Sequence, residues 1–175
     1  MASLTLPVNS RRDHIQGPET APITLVEYGD YECSYCGAAY PIVKLLQAEF
    51  GDRLRFVFRN FPLADMHPHA EHAAEAAEAA GAQGKFWQMH DALYEHQQGL
   101  GDTKIKDLAD SLRLDGTTIL EQVHRQVFAN RIEEDFESGV ESGVNGTPTF
   151  FINGQRFDGA WDNQSEFREA LEQAG

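Results

Sequence analysis

The chain has 175 residues, enough for one domain with a packed core, and with 41% hydrophobic and 24% charged residues it has the composition of a globular protein. Its net charge of −14 argues against a general role in binding nucleic acid or anionic membrane surfaces. No apolar run is long enough to span a bilayer and the N-terminus lacks a signal-peptide pattern, so we expect a cytoplasmic protein without a membrane partner.

The first part of the chain predicts a strand, a helix and a second strand. Residues 22–28 are apolar and β-branched and are bounded by Pro and Gly, as in a buried strand. Hydrophobic residues then recur at helical spacing from Tyr40 to Phe50, and Gly51 ends this helix. Residues 54–61 read as the second strand, and a strand–helix–strand order favours parallel pairing.

The middle of the chain, about 67–144, predicts only helices. Pro68 opens the first of them and Gly81 closes it. Four more are predicted from hydrophobic residues at helical spacing: Phe86, Met89 and Leu93; Ile105, Leu108 and Leu112; Ile119, Val123 and Val127; and Phe136, Val140 and Val144.

Strand character returns near the C-terminus. Residues 149–152 and 155–157 are separated by Asn153-Gly154, a strong type I′ hairpin signal. Asn163 then begins a final helix in a capping-box pattern. The sum is a βαβ unit, a helical block and a ββα unit, which predicts an α/β fold with one mixed sheet and helices packed on it.

The two cysteines of the chain, Cys33 and Cys36, stand where the first predicted strand gives way to a helix. If the helix begins at Cys33, this residue lies among unpaired backbone N–H groups at the positive end of the helix dipole, which favours its thiolate. Cys36 is then one turn further on the same face, more buried and with a higher pKa. The spacing predicts thiolate attack by Cys33 and resolution of the mixed disulfide by Cys36.

Two other interpretations of the cysteines stay open. A zinc site needs further ligands, and histidines could supply them: His67, His69, His72, His90 and His96. Their spacing does not repeat a known zinc pattern, and we interpret His67 instead as a cap of the helix that Pro68 opens, with His69 and His72 on its surface. Alternatively, the two cysteines are merely packed as small hydrophobic residues.

The chain resembles the thioredoxin superfamily, and within it the DsbA-like branch, in which a helical block is inserted into a thioredoxin fold. Four features carry the resemblance: the strand "ITLVEY" leading into "CSYC", Pro41 in the following helix, the long helical insertion, and "NGTPTFFING" near the end. The resemblance implies one domain over residues 1–175, with thioredoxin parts at about 17–66 and 145–175 and a helical insertion at about 67–144.

The resemblance also implies roles for residues outside the cysteine pair. Thr147-Pro148 should have a cis peptide bond and lie against the cysteines, so that the Thr147 backbone offers hydrogen bonds to an extended substrate; the alternative is an ordinary proline at the start of a strand. Glu27 should be a buried acid with a raised pKa that exchanges a proton with Cys36, unless it points outward into solvent. Tyr35 is a further candidate for substrate contact.

This chain departs from the DsbA-like pattern in the dipeptide between the cysteines. The dipeptide is Ser34-Tyr35, whereas strongly oxidising members of the branch have a histidine at its second position. Tyr35 supplies no cation, and the carboxylates of Asp30 and Glu32 oppose thiolate formation. We therefore expect a pKa of Cys33 only modestly below its free value of about 8.5, and a potential more reducing than that of a dedicated oxidant.

The sequence thus predicts a thiol–disulfide oxidoreductase that exchanges electrons with protein or peptide dithiols and disulfides, and that an unidentified redox partner resets. No metal or organic cofactor is expected, because the cysteines themselves carry the electrons. The alternative is a binding module that holds peptides, or a metal, in the same groove without turnover.

Overall fold

The computed structural model describes residues 2–175, which form one mixed β-sheet with helices on both faces. The strands are β1 (His14–Gln16), β2 (Ile23–Gly29), β3 (Leu54–Asn60), β4 (Thr149–Ile152) and β5 (Gln155–Arg156). The helices are α1 (Ser34–Phe50), α2 (Ala70–Gly81), α3 (Phe86–Glu95), α4 (Asp102–Ser111), α5 (Gly116–His124), α6 (Ala129–Glu141) and α7 (Gln164–Ala174). Within residues 2–175, no helix is long and apolar enough to cross a membrane.

The sheet has the strand order β1-β3-β2-β4-β5, with β2 in the centre. The β2–β3 pair is parallel, as the strand–helix–strand order predicts, and the other three pairs are antiparallel. Asn153 and Gly154, which join β4 to β5, have φ angles of 47° and 84°, so both adopt the left-handed conformation predicted for a type I′ turn.

Alternation along β2 divides the core between the two faces of the sheet. Ile23 and Leu25 belong to the larger core, which contains both cysteines and side chains of helices α1–α5 and α7. Val26 and Tyr28 belong to a smaller core on the other face, where Phe136 of α6 also packs. Because side chains of a strand alternate between faces, Glu27 has the same orientation as Leu25 and points toward the larger core.

Strand β1 is absent from our sequence-based prediction. It has only three residues, too few for a hydrophobic period, and it pairs antiparallel with β3 at the edge of the sheet. Beside it, the fully buried Arg59 of β3 binds the Asp13 carboxylate through Nε and one terminal nitrogen, at 2.9 and 3.0 Å. A buried ion pair thus fixes the segment before β2 to the sheet. Hydrophobic periodicity in the sequence does not predict this pair.

Four helix predictions are wrong at one end. Helix α4 ends at Ser111, before Leu112, and helix α6 ends at Glu141, before Val144. Helix α2 begins at Ala70 and not at Pro68, since the His69 N–H bonds to the Glu32 carboxylate at 2.5 Å and holds the preceding residues in a turn. Helix α5 ends at His124, before Val127. As a result Val127 is more than half exposed.

Candidate functional site

The cysteine pair lies at the start of α1, at the C-terminal end of the central strand. Cys33 is the N-cap residue, with extended backbone angles, and its carbonyl accepts the first helical hydrogen bond from Gly37 at 3.0 Å. The Cys33 N–H donates to the Asp30 carbonyl at 3.1 Å, which closes the turn between strand and helix. Cys33 therefore has the predicted position among the unpaired N–H groups of the helix.

Both cysteines are free thiols, but they differ in burial. Cys33 retains 5% of its surface exposed, whereas Cys36, one turn into α1, is fully buried. This difference agrees with the prediction of an outer and an inner thiol. Of the two thiols, Cys33 is therefore the one that retains contact with solvent.

The loop before β4, which contains Thr147 and Pro148, lies next to Cys33. The Cys33 Sγ lies 3.5 Å from the Thr147 carbonyl oxygen, to which the thiol form donates a hydrogen bond. The Thr147-Pro148 peptide bond is cis. Tyr35, in the first turn of α1, is 68% exposed and projects from the same end of the molecule. The fold thus brings four of the six predicted site residues together near the C-terminal end of the central strand β2: Cys33, Cys36, Thr147 and Pro148.

The environment of Cys33 lowers its pKa to about 5. The hydrogen bond with Cys36 contributes most to this shift; burial opposes it, and hydrogen bonds from the backbone N–H groups of Cys36 and Tyr35 add to it. The prediction of a modest shift is therefore wrong. It considered the charges near Cys33 in sequence, whereas the structure aims several hydrogen-bond donors at the same sulfur.

The pKa values of Cys36 and Glu27 are shifted in the opposite direction, upward. Burial, followed by the hydrogen bond and charge of Cys33 and by the charge of Glu27, raises the pKa of Cys36 well above its usual range. Glu27 is only 2% exposed, and burial, with the charge of Cys33, raises its pKa to about 8. Its Oε2 has no hydrogen-bond partner among the described residues. At neutral pH the site therefore holds one thiolate and two protonated groups.

Glu27 thus points inward, as predicted, over the backbone of Gly29. A Cβ added at Gly29 would lie 2.9 Å from the Glu27 Oε2 and 2.5 Å from the Phe58 ring, so the close approach of the carboxyl requires a glycine there. The role of Glu27 as a proton carrier stays a prediction.

Gln97, which follows α3, is a site residue that the sequence analysis missed. Its side-chain amide donates to the carbonyl oxygens of Tyr31 at 2.9 Å and Cys33 at 2.7 Å. The helical insertion thereby holds the turn that carries Cys33. A Cβ at Gly37 would collide with the end of the Gln97 side chain, so a larger residue there would displace this amide.

His67 is a second residue whose position the sequence analysis did not predict. It does not cap α2; its Nδ1 instead lies 2.7 Å from the Asp30 Oδ2, next to the turn that leads into Cys33. The preceding Leu63 donates its N–H to the same carboxylate oxygen at 2.9 Å. The loop formed by residues 61–69, which connects β3 to α2, is therefore fixed to the cysteine-bearing turn.

The remaining histidines do not surround the cysteines. His90 is buried in an aromatic cluster, where its Nδ1 lies 2.9 Å from the Tyr31 hydroxyl and burial lowers its pKa. Across residues 2–175, one group of three ligand-type side chains has metal-binding spacing, and it consists of His72, Asp102 and His124. This group contains neither cysteine, so the geometry gives no support to a shared cysteine–histidine metal site.

Sequence relatives match the whole chain but only part of their own length. A Na⁺/H⁺ antiporter, NhaA 1, of Salinispora arenicola is 48% identical over 159 residues, which are 91% of this chain and 24% of the antiporter. NhaA 1 of Mycobacterium sp. (strain KMS) is 42% identical over 97% of this chain and 28% of its own length. Because the chain spans about a quarter of these relatives, their transport activity does not carry over to it.

Solved structures match over nearly their full length. BdbD from Bacillus subtilis has a TM-score of 0.88 at 24% identity, covering 99% of this chain and 98% of that protein. A thioredoxin-like oxidoreductase from Silicibacter pomeroyi has a TM-score of 0.78 at 26% identity, covering 93% and 92%. Wolbachia pipientis α-DsbA1 has a TM-score of 0.82 at 18% identity, covering 98% and 94%. These likenesses confirm the predicted thioredoxin-like fold.

A family model described as "Thioredoxin" matches residues 9–173, almost the whole chain. Together with the cysteine pair, this match and the DsbA-like fold support thiol–disulfide oxidoreductase chemistry in general. The fold is similar to that of DsbA-like proteins, and the chain belongs to the thioredoxin family.

Proposed function

We propose that this protein is a thiol–disulfide oxidoreductase acting on protein or peptide dithiols and disulfides, with Cys33 attacking and Cys36 resolving. The observation that carries the proposal is the contrast between the two sulfurs. Cys33 is a thiolate at neutral pH, because its pKa is about 5, and it reaches the surface, whereas Cys36 is buried and protonated. In such a pair, the outer thiolate attacks the substrate first, and the buried thiol resolves the mixed disulfide afterwards.

In the reducing direction, the Cys33 thiolate attacks a substrate disulfide. A bond forms between the Cys33 Sγ and one substrate sulfur, and the other substrate sulfur leaves as a thiolate. Cys36 then loses its proton and attacks the Cys33 Sγ, which releases the second substrate thiolate and leaves an enzyme disulfide. Two electrons pass from the enzyme to the substrate, and the reverse sequence oxidises a substrate dithiol.

Two neighbouring groups complete the proposed mechanism. Glu27 is the proposed proton carrier for Cys36: with a pKa of about 8, a minor fraction of Glu27 is ionised near neutral pH, and this carboxylate accepts the proton of Cys36, while the protonated form returns it in the reverse sequence. The backbone of Thr147 and the exposed Tyr35 ring are the proposed contacts for an extended substrate chain beside Cys33.

The low pKa of Cys33 also bears on the direction of electron flow, because a stable thiolate stabilises the reduced enzyme. A pKa of about 5 lies between the values of about 7 for thioredoxin and about 3.5 for DsbA. We therefore place the potential of the couple between theirs, about −270 and about −120 mV. This range keeps the expectation of a potential more reducing than that of a dedicated oxidant.

The test is trapping of the mixed disulfide with a peptide disulfide substrate. Cys36→Ser should accumulate a covalent adduct at Cys33, visible by mass spectrometry and released by a dithiol. Cys33→Ser should form none and should lose catalysed disulfide reduction. Ala38→Ser, at an exposed position of α1, adds a serine without removing a thiol and should behave as the parent. If Cys33→Ser kept full reductase activity, or the parent had none, the proposal would be wrong and a binding role would be favoured.

A further inference from the structure

An imidazole and a carboxylate form a pair next to the turn that carries the nucleophile. The His67 Nδ1 lies 2.7 Å from the Asp30 Oδ2, with the Asp30 side chain fully buried and 21% of the His67 side chain exposed. The Asp30 backbone carbonyl accepts the Cys33 N–H at 3.1 Å. One residue, Asp30, therefore connects the His67 ring to the residue that begins α1.

The hydrogen bonds of Asp30 suit an ionised carboxylate. Its Oδ1 accepts the Glu32 N–H at 2.8 Å, and its Oδ2 accepts the Leu63 N–H at 2.9 Å in addition to His67. Backbone N–H groups donate and cannot accept, so both oxygens of this carboxyl group act as acceptors here. A buried negative charge three residues before Cys33 opposes formation of the thiolate.

The dipeptide between the cysteines does not provide a cation that could offset this charge. Neither Ser34 nor Tyr35 has a basic side chain, and the first lysine or arginine after the cysteine pair is Lys44, whose Nζ is bound to Asp91 at 3.0 Å. His67, which the 61–69 loop brings to Asp30, is placed to supply that positive charge from a distant part of the sequence.

We infer that protonated His67 is a positioning residue for the redox centre, which neutralises Asp30 so that the Cys33 thiolate forms beside an ion pair and not beside an unpaired carboxylate. This inference rests on the proposed function, because it concerns the reactivity of the attacking thiol. The His67 ring contacts the Asp30 carboxylate. It acts through Asp30 and through its own charge.

The titration of His67 agrees with this arrangement. Burial lowers the pKa of His67, but the hydrogen bond and charge of Asp30 outweigh it, and the negative charges of Cys33 and Glu32 raise it further, so the pKa is above its usual value. Charge coupling is reciprocal. If the Cys33 thiolate stabilises protonated His67, protonated His67 must stabilise the thiolate by the same free energy.

The first experiment compares His67→Gln, which removes the charge, with His67→Lys, which retains one. The control is His124→Gln, because the His124 Nε2 also lies 2.7 Å from an aspartate oxygen, that of Asp102, but in the helical insertion. Thiolate absorbance is followed against pH in the full-length reduced protein. We expect the Cys33 midpoint to rise by about one unit in His67→Gln, a tenfold change in the ionisation equilibrium. His67→Lys should restore most of the shift, and the control should titrate as the parent.

A second readout avoids any change at His67. The imidazole is titrated by NMR in the reduced parent and in Cys33→Ser, and reciprocity predicts that its pKa falls in the variant by about the shift that His67→Gln causes at Cys33. In a glutathione buffer, His67→Gln should move the equilibrium about tenfold toward the enzyme disulfide, because the reduced form has lost stabilisation.

The two readouts separate this inference from the proposed function. If the parent exchanges disulfides but neither the Cys33 midpoint nor the His67 titration responds, the inference fails and the proposed function stands. A shift in His67→Lys equal to that in His67→Gln would also overturn it, since ring packing and not charge would then be responsible. If the coupling is present but no exchange occurs, the proposed function fails instead.

Discussion

Because the carboxyl group of Glu27 is buried, we predict that the free energy of unfolding depends on pH through this residue. Its pKa rises from 4.5 to about 8 in the folded protein, chiefly because burial penalises the charged form. The folded state therefore binds a proton that the unfolded state has already released between these two values. The stability associated with this proton is fully present below about pH 4.5 and is lost as pH rises toward about 8.

The size of the effect follows from the shift. One pKa unit corresponds to 1.36 kcal/mol, so a change from 4.5 to about 8 makes the charged form about 5 kcal/mol less favourable in the folded state. Between about pH 5 and about pH 8, the free energy of unfolding should fall by about 3.5 kcal/mol through this residue alone. Glu27→Gln, which cannot titrate, should abolish that part of the slope.

Cys33 must be replaced before the contribution of Glu27 to the pH dependence of unfolding can be measured, because the thiol of Cys33 also titrates. Its pKa is lowered to about 5 from 9.0, so its contribution has the opposite sign: it is fully present above about pH 9 and is lost as pH falls through about 5. The comparison is therefore made between Cys33→Ser and Cys33→Ser with Glu27→Gln, in which burial, the largest cause of the Glu27 shift, is retained.

Urea unfolding at a series of pH values measures the difference between these two proteins. The difference should grow with pH in favour of the variant that carries Gln, by about one kcal/mol per pH unit in the middle of the range. Parallel curves across the whole range would refute the reasoning, since they would mean that Glu27 is solvated and ionises normally in the folded protein.

Three further predictions concern single positions. Thiolate absorbance and the rate of alkylation of Cys33 should rise with pH around a midpoint of about 5, and a midpoint near the ordinary thiol value of 9.0 would contradict the site geometry. Asp13→Asn should destabilise the protein by about 3–5 kcal/mol in urea unfolding, because it leaves the fully buried Arg59 without its counter-charge; an effect below about 1 kcal/mol would show that water reaches the pair. Gly139→Ala should reduce stability by about 1–2 kcal/mol, since a Cβ there would lie 2.8 Å from a buried aromatic ring, whereas Gly146→Ala, with no atom within 4 Å, should have little effect; equal effects would exclude crowding as the cause.

The sequence by itself determined the features that depend on neighbouring residues. The β-branched run of β2, the helical period of α1 and the Asn153-Gly154 turn are local signals, and each forms the predicted element. The position of Cys33 at the start of α1 follows from the same local pattern, as does the burial of Cys36 one turn later. Local geometry limits these choices strongly, because few conformations satisfy the backbone hydrogen bonds.

Contacts between distant segments were decided only by the tertiary structure. The carboxylate of Asp30 opposes the Cys33 thiolate when only the sequence neighbours are considered, but the folded chain brings His67 to that carboxylate. It also brings the Thr147 carbonyl to Cys33, whose thiol donates to it. Gln97 reaches the same turn from the helical insertion. The strength of these interactions depends on distances and burial, and neither is fixed by separation along the chain. For that reason the sequence located the reactive thiol but misjudged its pKa, while the fold set the charges and donors around it.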